Sequence, residues 1–514
     1  MRKFQKATAL ALSSALALTA FAGCDKKDKD ETTKDNGGGS TTAAATTTKA
    51  DTPADTKATD APAPEATTEE VKPTEAKKPG TQEKIDALKA QGIDLKGRDV
   101  RIVNWWEGAP AEPKNTYEED LRDYREMIQD TFKFTIHTDN IGGWGESYTT
   151  QLSSSITAGE PIGQICVLDA GWVAGLMNNK MFAPLDTLAS LDGFKAEKWN
   201  QGVLEAVTFA GHIYGMAVDH EPRGGIFFNK RLLQEAGYGA DDLYDFQKDG
   251  KWTWTKFEEV LKACTRDKDG DGEIDTWGMV NFNSDYFSIA IYSSGAQFVS
   301  KDKDGHFVNE MTTQKFLDAL TWANDMWQKY AEPQPADSDW DYFKQCFAKG
   351  EAAMRVTEEY AKSEFADQLT DEWGFVCFPC PDGQEILCYD KENVLFIPSS
   401  YSNDEANEIA FAYDLFTDPA PGYEDGEAWK EAYYGAYVDS RAVDETLNMM
   451  KRGKNIKNRM DSYVAGLSDT LGSGFIWDIA GGAVTPAEAV EAKKGAWDQV
   501  IADQNTALDA LKAQ

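Results

Sequence analysis

The chain is organised around the stretch Gly211-His-Ile-Tyr-Gly-Met-Ala-Val-Asp-His-Glu-Pro-Arg-Gly-Gly-Ile-Phe-Phe-Asn-Lys-Arg-Leu-Leu-Gln-Glu-Ala-Gly-Tyr238. Within it, the apolar runs Ile213–Val218 and Ile226–Phe228 predict two strands, and the polar segment Asp219–Gly225 separates them. A helix is predicted after the second strand, ending at Gly237, because Gly is favoured just past a helix end. A chain that breaks one strand and begins another at once is a candidate for crossing between two lobes of a molecule.

Upstream of this stretch, a strand, a helix and a second strand are predicted at Asp99–Val103, Thr116–Asp130 and Phe132–Ile136. This order predicts an α/β fold with a parallel sheet covered by helices on both faces. Trp105 and Trp106 directly follow the first strand, at the carboxyl end where open α/β sheets bind their ligands.

Several further landmarks follow one another along the chain. They are Gly159-Glu-Pro161 between a helix and a strand, Tyr214-Gly-Met216, Phe228-Asn-Lys230, Trp252-Thr-Trp254, Phe347-Ala-Lys-Gly-Glu-Ala-Ala-Met354 and Gly435-Ala-Tyr-Val-Asp-Ser-Arg441. In this order they resemble the extracellular solute-binding proteins of bacterial ABC importers, of the family 1, sugar-binding type, over about residues 98–514. The resemblance implies an α/β, two-lobed periplasmic-binding-protein-like (type II) fold, in which the chain crosses between the lobes at a hinge and the lobes close on a ligand.

The resemblance also implies a division of the ordered chain. Residues 81–220 form the N-terminal part of the first lobe and residues 221–388 the second lobe. Residues 389–425 return to the first lobe, and residues 426–514 are the C-terminal helical part of the second lobe.

The N-terminus has the features of an export signal. Basic residues within the first six positions precede an apolar run, Ala7–Ala20, that is too short to span a bilayer as a mature helix. The run ends in Phe21-Ala-Gly-Cys24, which resembles a bacterial lipobox and implies a lipoprotein signal peptide over residues 1–23 with Cys24 acylated, as by palmitate. The alternative is an ordinary secretory signal in which Cys24 is incidental.

Residues 24–80 are rich in Thr, Ala, Pro, Lys and Asp and contain almost no large apolar side chains. Such a segment cannot bury enough surface to offset the loss of chain entropy, so we expect a disordered tether. Together with the lipobox, it predicts a protein held by lipid at the extracellular face of the bacterial cell membrane.

Composition and motifs narrow the class of function. The formal net charge of −35 would repel nucleic acids, so we expect no nucleic-acid partner. The four histidines form no HExxH spacing, and the sequence has no Gly-x-Ser-x-Gly elbow, Gly-x-Gly-x-x-Gly motif or P-loop. We therefore predict a monomeric binding protein and not an enzyme. A surface-anchored glycoside hydrolase is the alternative, because a pair of carboxylates among the many Asp and Glu residues could serve it.

The predicted ligand is a carbohydrate, in particular an oligosaccharide, which the resemblance implies is delivered to the transmembrane subunits of an ABC permease. The apolar face of a sugar ring stacks on an indole, while carboxylates and guanidinium groups bond to its hydroxyls. The candidate ligand-binding residues are Trp105, Trp106, Trp144, Asp169, Trp172, Asp219, Arg223, Trp340, Glu358 and Trp477, with Tyr360 beside Glu358. For each tryptophan, burial in the core is the alternative; Trp252, Trp254, Trp322 and Trp373 are assigned to it. A peptide or an organic anion in the same fold is the alternative ligand.

The loop Asp267–Gly278 contains the sharpest chemical motif. Asp267, Asp269 and Asp271 occupy positions 1, 3 and 5 of the EF-hand spacing, with Gly272 at position 6, the backbone carbonyl of Glu273 at position 7 and Asp275 at position 9. We expect a structural Ca²⁺ here, although Gly278 replaces the bidentate Glu of position 12. The alternative is a solvated acidic turn without metal.

Beyond Cys24, six cysteines remain, and an even number in an exported protein permits disulfides. Cys377 and Cys388 would face each other if Asp382-Gly383 were the turn of a hairpin. Six buried free thiols are the alternative.

Overall fold

A computed structural model describes residues 80–106 and 112–512 of the 514-residue chain. The predicted signal peptide, Cys24 and almost all of the predicted tether lie outside the described residues. The helices are α1 (Thr81–Ala90), α2 (Thr116–Phe132), α3 (Glu146–Thr157), α4 (Ala170–Asn178), α5 (Gln201–Ala206), α6 (Lys230–Glu235), α7 (Asp242–Lys248), α8 (Trp254–Cys264), α9 (Asn283–Ser293), α10 (Gln314–Tyr330), α11 (Tyr342–Ala348), α12 (Asn403–Phe416), α13 (Trp429–Tyr434), α14 (Asn448–Arg452), α15 (Ser468–Leu471), α16 (Trp477–Ala480) and α17 (Pro486–Lys512). The strands are β1 (Arg98–Asn104), β2 (Phe134–Asn140), β3 (Ile165–Leu168), β4 (Thr208–Phe209), β5 (His212–Ile213), β6 (Gly224–Asn229), β7 (Trp277–Met279), β8 (Val299–Lys301), β9 (Phe307–Asn309), β10 (Ala352–Glu358), β11 (Trp373–Cys377), β12 (Cys388–Asp390), β13 (Val394–Phe396) and β14 (Ile456–Asn458).

The first sheet has the strand order β13-β3-β1-β2. Strands β1, β2 and β3 are parallel, as predicted, and β13 joins the outer edge of β3 in the antiparallel direction. Along β1, Val100 and Ile102 pack into one apolar cluster with α2 and α12, whereas Val103 packs into another with α3. This alternation follows from the two-residue period of a strand and places helices on both faces of the sheet.

Helix α2 illustrates how local sequence sets the boundaries of these elements. The side chain of Asn115 accepts a hydrogen bond from the Glu118 N–H and caps the first turn. Tyr124, Ile128 and Phe132 recur every four residues and bury one face, and Lys133 ends the helix in the left-handed region at φ 56°. The helix therefore ends two residues later than predicted, and β2 begins at Phe134.

The second sheet has the order β11-β6-β10-β7 and mixes antiparallel with parallel pairs. Its strand β6 begins at Gly224, so the two glycines that the sequence predicts within the polar break belong to the strand. A Cβ on Gly224 would lie 2.2 Å from Cε1 of Tyr389, and one on Gly225 would lie 2.5 Å from Cζ of Phe375. The prediction for these residues was wrong because the glycines serve close packing and not a turn.

The predicted strand Ile213–Val218 is also shorter in the structure. Only His212–Ile213 forms a strand, in a hairpin with β4, and Met216 and Val218 then make single bridges to Leu395 and Trp199. The chain leaves this region at Asp219, which adopts φ 66°. We call residues 214–223 the outward crossing and residues 391–393 the return crossing, since they lead to β6 and to β13.

The C-terminal part of the chain packs on elements from both ends of the sequence. Thr485 and Glu488 form a reciprocal cap at the start of α17. Asn505 on α17 accepts the Phe307 N–H at 2.8 Å, and Gln504 on the same helix bonds to Asn178 of α4 at 3.1 Å. Because α17 thus contacts α4 as well as β9, the lobe boundaries at residues 220, 388 and 425 stay predictions.

The six cysteines of the described residues are buried and unbridged. The Sγ atoms of Cys377 and Cys388 are in contact at 3.7 Å, although β11 and β12 pair in different sheets and form no hairpin. Among the tryptophans assigned to the core, Trp252 and Trp373 are buried, and Trp254 stacks on Trp322 with 4.0 Å between ring centroids.

Candidate functional site

A cavity of about 1190 Å³ lies at the carboxyl ends of β1 and β3, where the two crossings meet the end of β10. The end of α12 closes another side of it. The lining residues are Ile102, Asn104, Trp105, Trp106, Arg125, Thr138, Trp144, Val167, Asp169, Ala217, Val218, Glu221, Arg223, Glu358, Tyr360, Ser363, Lys391, Glu392, Asn393, Leu395, Tyr413, Phe416 and Thr417.

One wall of the cavity is aromatic. The ring of Trp105 contacts Trp106 and Trp172 edge to face, with centroids 4.6 and 4.9 Å apart, and Trp144 lies 5.3 Å from Trp172. The hydroxyl oxygen of Tyr148 lies 2.9 Å from the backbone carbonyl oxygen of Val103 and 2.8 Å from that of Val167, so its one O–H ties α3 to the ends of β1 and β3. Trp106 and Trp144 remain 47% and 67% exposed, so their faces are available to a ligand.

Another part of the lining is charged. Nη1 of Arg223 lies 3.7 Å from Oε2 of Glu358, and the Tyr389 hydroxyl donates to Oε1 of the same carboxylate at 3.0 Å. Burial lowers the pKa of Arg223, but Glu358, Glu392 and Glu221 outweigh it and hold that pKa above its ordinary value. Arg223 is therefore a fixed positive charge among carboxylates.

Two acids, the lining residue Glu392 and the half-buried Asp285, have raised pKa values. Burial, together with the nearby Glu358, raises the pKa of Asp285 to about 7. Burial and the neighbouring Asp390 raise the pKa of Glu392 well above its ordinary range. Like charges in a low-dielectric surrounding disfavour ionisation, so this wall retains protons at a pH at which exposed carboxyls have lost them.

The two crossings are bonded to each other. Oδ2 of Asp390 accepts a hydrogen bond from Asn200 at 2.9 Å and lies 2.7 Å from Nδ1 of His220. Oε1 of Glu392 accepts the backbone N–H of Glu221 at 2.5 Å. The carboxylates of Asp390 and Glu392 thus join the two crossings, and Glu392 also lines the cavity.

Helix α14 forms ion pairs with the outward crossing at Asp219. Nζ of Lys451 lies 3.1 Å from Oδ2 of Asp219 and donates to the carbonyl of His220 at 2.6 Å, and Arg452 forms a second ion pair with Asp219. Burial raises the pKa of Asp219, but these two cations outweigh it and hold the pKa below its ordinary value. Its charge is therefore already neutralised within the protein.

Six of the ten predicted ligand-binding residues line the cavity: Trp105, Trp106, Trp144, Asp169, Arg223 and Glu358. Tyr360, which the sequence placed beside Glu358, also lines it. The other four lie outside the lining. Trp172 supports Trp105 and Trp144 from behind, and Asp219 is held by α14. Trp340 lies on Phe282 and Phe343, and Trp477 donates to Oγ of Ser284. Contact of any of the ten with a ligand stays a prediction.

Several residues that line the cavity were not among the predicted ligand-binding residues. Glu221 comes from the outward crossing and Arg125 from α2. The return crossing contributes Lys391, Glu392 and Asn393, and the end of α12 contributes Tyr413 and Phe416, with Thr417 directly after it. A signal existed for the return crossing, because Lys391-Glu-Asn393 is a polar break directly before a strand, like Asp219–Arg223 before β6. The residues from α12 carry no such mark, since they look like the buried face of a helix.

The predicted calcium loop connects α8 to β7 and contributes no residue to the lining of the cavity. One carboxylate oxygen each from Asp267, Asp269 and Asp275 lies within 4.8 Å of the others, whereas Asp271 and Glu273 are outside this group. Asp267 accepts the backbone N–H groups of Gly270 and Gly272 at 2.7 and 2.9 Å. The loop is therefore closed around converging oxygen atoms.

Comparison with known families decides the class of the molecule. The family model described as bacterial extracellular solute-binding protein matches residues 119–413, more than half of the 514-residue chain. The chain belongs to this family of bacterial extracellular solute-binding proteins. The resemblance stated from the sequence and the two-lobed α/β fold are both confirmed. No curated protein sequence matches this solute-binding protein.

Solved structures show the same fold at low sequence identity. An ABC substrate-binding protein from Listeria monocytogenes in complex with cycloalternan has a TM-score of 0.54 at 18% identity, covering 79% of this chain and 99% of that one. The cyclic alpha-maltosyl-1,6-maltose binding protein from Arthrobacter globiformis has a TM-score of 0.57 at 16% identity, with the same two coverages. UgpB from Mycobacterium tuberculosis, in complex with glycerophosphocholine, has a TM-score of 0.57 at 14% identity, covering 79% of this chain and 99% of that one.

The family and these structures consist of binding proteins, which agrees with the predicted class. Within residues 80–106 and 112–512, no helix of this solute-binding protein is long and apolar enough to cross a membrane.

Proposed function

We propose that this solute-binding protein captures a carbohydrate, in particular an oligosaccharide, in the cavity between its lobes and delivers it to the permease subunits of an ABC importer. The observation that carries the proposal is the pairing of an exposed indole wall, Trp106 and Trp144, with a charged wall around Arg223 and Glu358 in one cavity. Indole faces suit the apolar faces of sugar rings, and charged groups suit their hydroxyls.

Two further observations support an oligosaccharide. The cavity of about 1190 Å³ exceeds the roughly 300–1,000 Å³ that is usual for pockets holding drug-sized ligands. The Listeria and Arthrobacter proteins are described with cyclic saccharides as ligands. The Mycobacterium protein is described with glycerophosphocholine, so a non-sugar ligand is the second candidate.

In this proposal, ligand binding stabilises the closed arrangement of the lobes, and the permease recognises that arrangement. The protein acts as a monomer and without catalysis; Glu221, Glu358 and Glu392 bond to ligand hydroxyls and break no bond. A glycoside hydrolase would use two of these carboxylates, which makes recovery of intact ligand part of the test.

The anchor is a separate part of the proposal. Cys24 follows an apolar run and a small-residue motif, and we infer its acylation, as by palmitate, at the outer face of the cell membrane. Fractionation tests this: the native protein should be found with membranes, and Cys24→Ser should release it into the medium. Release of neither form, or of both forms equally, would contradict lipid attachment through Cys24.

The carbohydrate proposal is tested by thermal unfolding against a panel of mono- and oligosaccharides and glycerophosphocholine. A ligand that binds only the folded state raises the midpoint by mass action, by an amount that grows with its concentration. We expect an oligosaccharide to raise the midpoint and to be recovered intact. A shift with glycerophosphocholine alone would show that the ligand is not a carbohydrate. Recovery of cleaved saccharide would show that the protein is a glycoside hydrolase and not a binding protein.

A further inference from the structure

Two cysteine thiols are in contact in the interior of the protein. Sγ of Cys377, the last residue of β11, lies 3.7 Å from Sγ of Cys388, the first residue of β12. The two residues are 1% and 5% exposed, and neither lines the cavity. The proposed capture of a ligand therefore does not account for this contact.

The backbone holds both cysteines in place. The Cys377 N–H donates to Oε1 of Gln247 at 2.8 Å, and the Cys377 carbonyl accepts the indole N–H of Trp252 at 2.8 Å. The Cys388 N–H donates to the carbonyl of Asn455 at 2.9 Å, directly before β14. The contact between the two sulfur atoms is therefore fixed by hydrogen bonds that do not involve the thiols.

The neighbouring thiol of Cys380 has a different environment, although Cys377 and Cys380 have the Cys-x-x-Cys spacing. Sγ of Cys380 donates to the backbone carbonyl of Gln384 at 3.0 Å. Among the described cysteines, Cys377 and Cys388 are the pair whose Sγ atoms contact each other. The geometry thus favours Cys388, and not Cys380, as the partner of Cys377.

The compartment of the family is suited to thiol oxidation. The chain belongs to a family of extracellular proteins, and disulfides form and persist outside the cell. Two bonded sulfur atoms are about 2.05 Å apart, so bond formation would bring this pair about 1.7 Å closer than their present contact. A rotation about a Cα–Cβ bond moves Sγ by a comparable distance.

We propose that Cys377 and Cys388 are an oxidation site, at which an external disulfide converts the dithiol into an intramolecular bridge. The thiolate of one cysteine attacks a sulfur atom of the external disulfide, forms a mixed disulfide and releases one thiolate. The thiolate of the other cysteine then attacks the mixed disulfide, forms the Sγ–Sγ bond and releases the second thiolate. The two cysteines lose two protons and two electrons, and the external disulfide gains them and leaves as two thiols.

Burial determines when this exchange takes place. The hydrogen bond with the Cys388 thiol and burial raise the pKa of the Cys377 thiol well above its ordinary value. Because the thiolate is the reactive form, the folded dithiol reacts slowly. The bridge therefore forms while the chain folds, before the pair is enclosed, and the finished bridge is shielded from reductants in the folded protein.

The bridge connects the second sheet to the segment that leads into the return crossing. Strand β11 pairs with β6 in that sheet, whereas β12 pairs with β14 outside it and ends at Asp390, directly before the return crossing. Joining residues 377 and 388 also restricts the unfolded chain. The bridged protein should therefore unfold at a higher temperature than the dithiol.

The test determines which cysteines are oxidised in the native, full-length protein, purified without reductant. Free thiols are alkylated in denaturant with one reagent, and the thiols released by reduction are alkylated with a second. Cleavage by trypsin after Lys362 and Lys391 leaves Cys377, Cys380 and Cys388 on one peptide, in which mass spectrometry locates each label. We expect the second label on Cys377 and Cys388 and the first on Cys380. The first label on Cys377 and Cys388, or the second on Cys377 and Cys380, overturns the proposal.

The same labels test the shielding of the bridge. Dithiothreitol added to the folded protein should leave the labels unchanged over a period in which it reduces the bridge completely in urea. Equally fast reduction in both conditions would contradict enclosure of the bridge in the folded protein.

Two variants test its effect on stability. Cys377→Ala and Cys264→Ala each replace a buried thiol by a methyl group, and Cys264 lies in α8. Without reductant, Cys377→Ala should lower the unfolding midpoint by about 2–5 °C more than Cys264→Ala does, because it also removes the bridge. Equal losses in the two variants would overturn the stabilising role of the bridge. Both measurements are independent of the identity of the ligand.

Discussion

The indole of Trp144 is two thirds exposed, lines the cavity and contacts the ring of Trp172. Since it contributes little to the core, Trp144→Ala should weaken saccharide affinity by about tenfold, or about 1.4 kcal/mol, without lowering the unfolding temperature of the free protein. Trp144→Phe keeps an aromatic face and should retain most of the affinity. Calorimetric titration measures both, and an Ala variant with native affinity would remove Trp144 from the ligand-binding residues.

Gly225 is a residue at which the smallest side chain should be destabilising. A Cβ there would lie 2.5 Å from Cζ of Phe375 and 2.8 Å from the Val376 carbonyl, both in the adjacent strand. Gly225→Ala should therefore lower the free energy of unfolding by about 1–3 kcal/mol, as overpacked cores do. Urea denaturation measures the loss, and Gly435→Ala, with nothing within 4 Å of the added atom, is the matched control. Equal stability of the two variants would show that β6 accommodates the added methyl group without loss of stability.

Gly224 and Gly225 also show a limit of prediction from sequence for single residues. Gly224-Gly225 beside Pro222 is typical of a loop, and the identical residues are required where a strand packs tightly between two others. Only the pairing with Thr357 and Cys377, more than a hundred residues away, distinguishes the two cases. By contrast, Trp105 and Asp169 were predictable as cavity residues, because the ends of parallel strands meet at one edge of a sheet.

Among the elements, the loop between α8 and β7 yields a prediction about metal. If Asp267, Asp269 and Asp275 hold Ca²⁺, adding Ca²⁺ should raise the unfolding temperature of the native protein by mass action, and Asp267→Asn should abolish the rise. Thermal unfolding at increasing Ca²⁺ concentration measures this. Asp304→Asn alters the acidic turn between β8 and β9 and serves as the control. An unchanged midpoint in the native protein would leave the loop as a solvated turn.

The return crossing shows why some functional elements could not be predicted from the sequence. The residues directly before β13 acquire their role only because β13 lies beside β3, which brings Lys391 to Asp169 at 3.4 Å. Helix α12 is similar, since its cavity-lining residues Tyr413 and Phe416 have the spacing of an ordinary buried face. Long-range pairing, which local pattern does not encode, decides both cases.

At the scale of the whole molecule, the raised pKa of Asp285 should make stability depend on pH. The folded protein holds the pKa of Asp285 at about 7, against 3.8 for an ordinary Asp. Below about pH 4 the group is protonated in both states, and between about 4 and 7 the unfolded chain releases the proton first, so stability falls as pH rises. Above about 7 both states are ionised and the penalty is constant. The groups that act on Asp285 are Glu358, Lys391, Arg459 and Arg355.

Asp285→Asn should remove this contribution. The difference in unfolding free energy between variant and native protein should grow from about pH 4 to about pH 7, by at most about 1.4 kcal/mol for each unit of pKa shift, and then stay level. Denaturation with urea at a series of pH values measures the difference, in which the other titrating groups cancel. A difference that is flat across this range would place the pKa of Asp285 near its ordinary value.

The position of β13 in the sequence affects when the first sheet can fold during synthesis of the chain. Strand β3 is complete by residue 168, yet its outer neighbour is encoded at residues 394–396. Until most of the chain has been synthesised, the first sheet has an open edge whose backbone groups lack partners. The first sheet can therefore be completed only after residue 396 has been synthesised, and a sheet whose strands were all encoded together could close its edge earlier.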